Sequence, residues 1–203
     1  MNGQLYTVSA PSGAGKTSLV RQLVQRVDNL EISVSHTTRP MRPGERDGAD
    51  YHFVDRPDFE RMIAAEEFLE HASVFENYYG TRRANVEAQL RSGTDILLEI
   101  DWQGAEQVKR LMPDTVAVFI LPPSREALLE RLRGRGQDSD EVIARRTQEA
   151  VNEMQHYASA DYLIINDQFD VAVGELVALV QSQRLRLPRQ DAANGELIKN
   201  LIN

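Results

Sequence analysis

Between Leu5 and Val24 the chain runs through a short apolar stretch, a glycine-bearing turn and a helix-like repeat, and this order constrains the fold more than any other feature. Leu5 to Ala10 reads as a strand, and the apolar residues of Thr17 to Val24 recur at helical spacing. The turn between them, Ala10-Pro11-Ser12-Gly13-Ala14-Gly15-Lys16-Thr17, fits the P-loop spacing G-x-x-x-x-G-K-[ST], with Ala10 in place of the first glycine. Gly13 and Gly15 let successive N–H groups wrap around phosphate oxygens, and a helix starting near Lys16 aims its positive end at them. Lys16 can reach a transferred phosphate and Thr17 can ligate magnesium. A glycine-rich turn that binds nothing would need strand, loop and helix to fall in this order by accident.

Further apolar runs at Asp95 to Asp101, Val116 to Leu121 and Tyr162 to Asn166 alternate with helical segments such as Ser124 to Arg133. Alternation of this kind predicts an α/β fold, a P-loop NTPase-type parallel sheet flanked by helices. Between Ser33 and Arg83 the pattern changes to short extended pieces rich in Arg, Pro, Gly and Tyr around a helix-like Asp58 to Glu67, which predicts an inserted subdomain. Gly134 to Asp140 is polar and glycine-bearing, and an arginine-rich helix pattern follows over Glu141 to Glu153, so 134–154 reads as a flexible lid. The predicted organisation is one domain: core 1–32, 84–133 and 155–188, insert 33–83, lid 134–154, and a tail 189–203 without assigned role.

A formal net charge of -8 argues against a nucleic-acid polymer as partner, because phosphate backbones are held by net positive patches. The absence of cysteine removes disulfides and thiolate zinc ligation. The first ten residues lack a basic segment followed by an apolar run, and the most apolar stretch, Val116 to Leu121, is far shorter than the roughly 20 residues of a spanning helix, so a cytoplasmic protein without membrane attachment is expected.

Arg39 and Arg42 lie three apart in Ser35-His36-Thr37-Thr38-Arg39-Pro40-Met41-Arg42-Pro43-Gly44-Glu45, on a chain that two prolines hold partly extended. Guanidinium forks suit phosphate oxygens, so the pair can clamp a second phosphate; a solvated basic loop is the plainer alternative. Asp101 closes an apolar strand, where an acid that orients a magnesium shell is often found, though a carboxylate ending a strand is also common without any role.

These segments, with Asp50-Tyr51-His52-Phe53, Tyr78-Tyr79-Gly80-Thr81 and Glu99-Ile100-Asp101-x-Gln103-Gly104, together resemble guanylate kinase of the bacterial type over residues 3 to 187. The resemblance implies a nucleoside monophosphate kinase that moves the terminal phosphate of ATP onto GMP with Mg2+. It places ATP on Ser12, Gly13, Ala14, Gly15, Lys16, Thr17 and Ser18, with Asn166 on the adenine side. It makes 33–83 the GMP-binding insert, with Arg39, Arg42, Tyr51 and Tyr79 on the GMP phosphate and Ser35, Glu70 and Thr81 facing guanine. Glu99 and Asp101 would lie between the nucleotides, acting on GMP or on the magnesium shell. Arg135 and Arg146 match arginines that reach the ATP phosphates; Arg131 and Arg145 are weaker candidates.

The four histidines have no metal-ligand spacing, and Trp102 reads as core. Two rival readings remain at this point: a monophosphate kinase with another acceptor, and a guanylate-kinase-like module that has lost catalysis and binds proteins. A homo-oligomer is left open.

Overall fold

A computed structural model describes residues 2–74, 76–134 and 140–202. Five parallel strands form the main sheet: β1 (Leu5–Ser9), β2 (Leu30–Ile32), β7 (Asp95–Glu99), β8 (Val116–Leu121) and β9 (Tyr162–Ile165), in the order β2-β7-β1-β8-β9. Strands buried on both faces need apolar residues at every position rather than alternate ones. The sheet buries apolar side chains on both faces, with β1 and β8 supplying one face and β1 and β7 the other. Tyr6, Val8, Val118 and Ile120 join Leu19 and Leu23 of α1 (Lys16–Arg26) and Leu176 and Val180 of α7 (Phe169–Arg184). On the opposite face Leu5, Ile96 and Leu98 meet Val86 and Leu90 of α3 (Arg83–Arg91) and Val108 of α4 (Trp102–Leu111).

The insert carries a second sheet of four strands, β3 (His36–Thr37), β4 (His52–Phe53), β5 (Phe68–Val74) and β6 (Asn77–Arg82), ordered β4-β3-β6-β5 and capped by α2 (Arg56–Ala64). Phe59 of α2 stacks between Phe68 and Tyr78, at ring-centroid distances of 4.4 and 5.3 Å. The helix expected over Asp58 to Glu67 starts two residues earlier, because the Asp55 carboxylate caps the Asp58 N–H at 2.7 Å and Pro57 fits the first turn. It stops at Ala64, before Phe68 opens β5. Gln107 of α4 exchanges two hydrogen bonds with the backbone of His71 in β5, at 3.1 and 2.9 Å, which ties the insert's sheet to the core.

Beyond the sheets, α5 (Arg125–Arg133) is capped by Ser124 and packs Leu128 and Leu132 on Ile143 and Ala150 of α6 (Asp140–Met154). The tail without assigned role is helical: α8 spans Leu187–Ile202, kinked at Asn194. Pro188 falls in its first turn, where a missing N–H costs nothing. Arg189 reaches back to the fully buried Asp95 at 2.9 Å, beside Arg184 at 2.8 Å, so the helix is anchored by a contact its own sequence does not reveal. Among the described residues no helix is long and apolar enough to cross a membrane.

Candidate active site

The turn after β1 has the shape its glycines permit. Gly13 and Gly15 adopt φ of +88° and +92°, a region open to glycine at little cost. Space forbids a side chain as well: a Cβ on Gly13 would come within 2.9 Å of Leu128, and one on Gly15 within 2.6 Å of the Asn166 amide. No side chain caps α1, so its first N–H groups, those of Lys16, Thr17 and Ser18, face the turn without the partners a regular helix interior supplies. Asn166, which is buried, donates from its side-chain amide to the Ala14 carbonyl at 2.7 Å, and Arg131 donates to the carbonyls of Ala14 and Asn166 at 3.4 and 2.8 Å. The loop is thus braced from behind by residues distant in sequence.

Lys16 lies beneath this loop, with its ammonium donating to the Ile100 carbonyl at 2.8 Å. Burial lowers its pKa, and the carboxylates of Glu99 and Asp101 work against that shift. Glu99 ends β7 and accepts from the Thr17 hydroxyl. Asp101 does not extend that strand as its run implied; it is the N-cap of α4, accepting from the Gly104 N–H at 2.8 Å, which fixes its carboxylate beside the lysine.

Across from Lys16 stands the insert. Glu70 on β5 is buried, and its Oε1 accepts from the Thr81 hydroxyl at 2.6 Å; Ser35 lies 3.4 Å from the same hydroxyl. Its Oε2 lies so near α4 that a Cβ on Gly104 would come within 2.7 Å of it. Burial pushes the Glu70 carboxyl up to about 7, against the Thr81 hydrogen bond, which lowers it. Tyr51 and Tyr79 meet edge to face at 6.0 Å, and the Arg39 guanidinium lies 5.4 Å from the Tyr51 ring centre.

A cavity of about 150 Å3 joins the two sides. Lys16, Glu99 and Asp101 line it from the core; Ser35, Tyr51, Glu70 and Tyr79 line it from the insert. Seven residues singled out in the sequence therefore share one space, although 85 positions separate Lys16 from Asp101. A larger cavity of about 350 Å3, behind α4 and lined by Thr7 and Trp102 among others, contains none of them.

The remaining described candidates lie outside those walls. Arg39 pairs with Glu45 at 2.7 Å, and the other Glu45 oxygen accepts from the Arg42 N–H at 2.7 Å, while Arg42 itself is exposed. Arg146 is half-buried on α6, Arg145 is exposed and pairs with Glu149 at 3.6 Å, and Arg135 lies outside the described residues. Glu45, Gly104 and Glu153 were not assigned a role from the sequence; Glu153 accepts from the Ser12 N–H at 3.1 Å. For Glu153 a signal did exist, since it falls seven residues after Arg146, on the same stripe of a helix.

The family model for guanylate kinase matches residues 2–183. The chain belongs to the guanylate kinase family. It is 60% identical over 200 residues to a guanylate kinase of Methylococcus capsulatus, covering 98% of both chains, and 57% identical over 202 residues to that of Alkalilimnicola ehrlichii, covering 100% of both. The crystal structure of guanylate kinase from Anaplasma phagocytophilum superposes with a TM-score of 0.77 at 33% identity, covering 93% of this chain and 89% of that one. The same solved guanylate kinase fold bears out the expected α/β architecture with a parallel sheet between helices.

Proposed function

We propose that this chain transfers the terminal phosphate of ATP to GMP, giving ADP and GDP, in the cavity between Lys16 and Glu70. The observation that supports this reading is the shared space: Lys16, at the end of the glycine turn, and the buried carboxylate of Glu70 open onto one cavity. A GMP phosphate oxygen is a competent nucleophile, so direct in-line attack needs alignment and charge neutralisation rather than a covalent enzyme intermediate. Ser12 to Ser18 cradle the ATP phosphates, Asn166, which also braces the loop, serves the adenine side, Lys16 follows the transferred group, and Arg146 and Arg135 of the lid, 134–154, neutralise charge on the ATP phosphates. In the insert, 33–83, Arg39, Arg42, Tyr51 and Tyr79 hold the GMP phosphate, while Ser35 and Thr81 flank guanine. Glu70, when ionised, accepts from guanine N1–H and the exocyclic amine, a pattern adenine cannot match.

Thr17, Glu99 and Asp101 offer the hard oxygen donors that magnesium prefers, directly or through water, and their clustering beside Lys16 fits that ion. When bound, it supplies charge neutralisation between phosphates. An assay of GMP, dGMP, AMP and dTMP with ATP and magnesium tests the acceptor. GDP formation should dominate, and Glu70→Gln should lower GMP use by about tenfold to hundredfold with ATP binding intact. Comparable turnover of AMP, or unchanged selectivity in the variant, would defeat the assignment.

A further inference from the structure

One acid at the nucleotide end has no part in the reaction just described. Glu153 occupies the last turn of α6, and its Oε2 takes the N–H of Ser12, at the entrance to the phosphate loop, at 3.1 Å. The groups facing it come from three elements: Lys16 of α1 attracts it, Asp101 at the N-cap of α4 repels it, and Glu149, one turn earlier on α6, repels it too. Burial and the two acids raise its pKa, while the Ser12 N–H and Lys16 lower it. A protein anion thus stands where a loop built of amides and a lysine is shaped to receive an anion. A chain of phosphates on that loop would bring several negative charges against Glu153 in a partly desolvated site, where repulsion between like charges is far stronger than in water.

We propose that Glu153 is a displaceable latch: its carboxylate holds the edge of the phosphate loop until ATP arrives, and its release lets α6 move, coupling nucleotide occupancy to the lid arginine on the same helix. This rests on the assignment of Ser12 to Ser18 to ATP. Arg146 and Glu153 are two helical turns apart on one stripe of α6, so a shift of the Glu153 end moves the arginine with it. The joint beyond α6 also touches the start of α4, since His156 stacks on Trp102, the residue after Asp101, at a centroid distance of 3.4 Å and an interplanar angle of 7°. A ligand shifts an equilibrium only through differential affinity for its two states, and repulsion from Glu153 supplies that difference.

Glu153→Gln isolates the charge, because a glutamine can still accept from Ser12. Calorimetric titration with ATP and magnesium should show binding at least about fivefold tighter than wild type, with the KM for ATP falling and the KM for GMP unchanged. Glu153→Ala, which removes latch and acceptor together, should bind ATP no more weakly than wild type. In the wild type, emission from Trp102, the single tryptophan, should change along the ATP titration. Unchanged or weaker ATP binding by Glu153→Gln, or weaker binding by Glu153→Ala, would overturn the latch and make Glu153 a strut of the loaded site. A wild-type chain that binds no ATP would instead overturn the ATP assignment itself.

Discussion

At the Lys16 end of the cavity, the groups we propose for the ATP phosphates are backbone amides, set by two left-handed glycines and braced by Leu128, Asn166 and Arg131. Those we propose for the GMP phosphate include Arg39 and Arg42, which lie outside the cavity walls on a mostly exposed loop, and Arg39 is already paired with Glu45. The first cradle is formed before any ligand binds and loses little entropy on binding. The second must exchange one partner for another, so its contribution depends on how well GMP competes with Glu45. A backbone cradle binds any phosphate chain; selectivity has to come from the side-chain half of the site.

The sharpest way to break this comparison is Lys16→Ala, which leaves the amide cradle intact and removes the side chain proposed to follow the transferred phosphate. We expect kcat to fall about a thousandfold or more with ATP affinity reduced far less, measured by coupled assay and calorimetry. Equal losses in both would mean that the amides alone do not hold ATP. Arg39→Ala should act on the other half, raising the KM for GMP about tenfold to hundredfold while the KM for ATP stays put.

The Glu70 carboxyl, raised to about 7 by burial, adds a pH test. In the proposed pairing guanine requires the ionised form, so GMP affinity should be full well above pH 7 and fall as pH drops through it, approaching tenfold per unit below. Because the GMP phosphate itself titrates nearby, the diagnostic quantity is the difference between wild type and Glu70→Gln; parallel profiles would remove Glu70 from guanine recognition. The smallest effect is expected from Glu45→Gln, which still accepts one of the two hydrogen bonds that order the Arg39 loop. Its KM for GMP should rise about two- to threefold, and a rise above tenfold would show that this loop is held as rigidly as the phosphate loop.

Local chemistry made much of this molecule legible. The strand, glycine turn and helix from Leu5 to Arg26 stand where the spacing put them, as do β8, β9 and α5, whose apolar runs and Ser124 cap act over a few residues. Asp101 was found as a residue but not as a helix cap, because an acid after a strand and an acid before a helix look alike until the helix is placed. The three-residue β2 was too short to show a period, and α8 was masked by Pro188 and Gly195, which break helices in the middle but not at an end or a kink.

Sequence alone determined the glycine turn after β1, since glycine at positive φ, a lysine and a following helix are properties of neighbouring residues. It also determined which other residues have chemistry worth holding near a phosphate. Only the tertiary structure decided that Lys16 and Glu70 share a cavity, that Gly104 leaves room for the Glu70 carboxylate, and that Glu153 reaches Ser12 across 141 positions. These are meetings between segments far apart in the chain, and their energies depend on burial and distance, quantities that exist only once the sheets have packed.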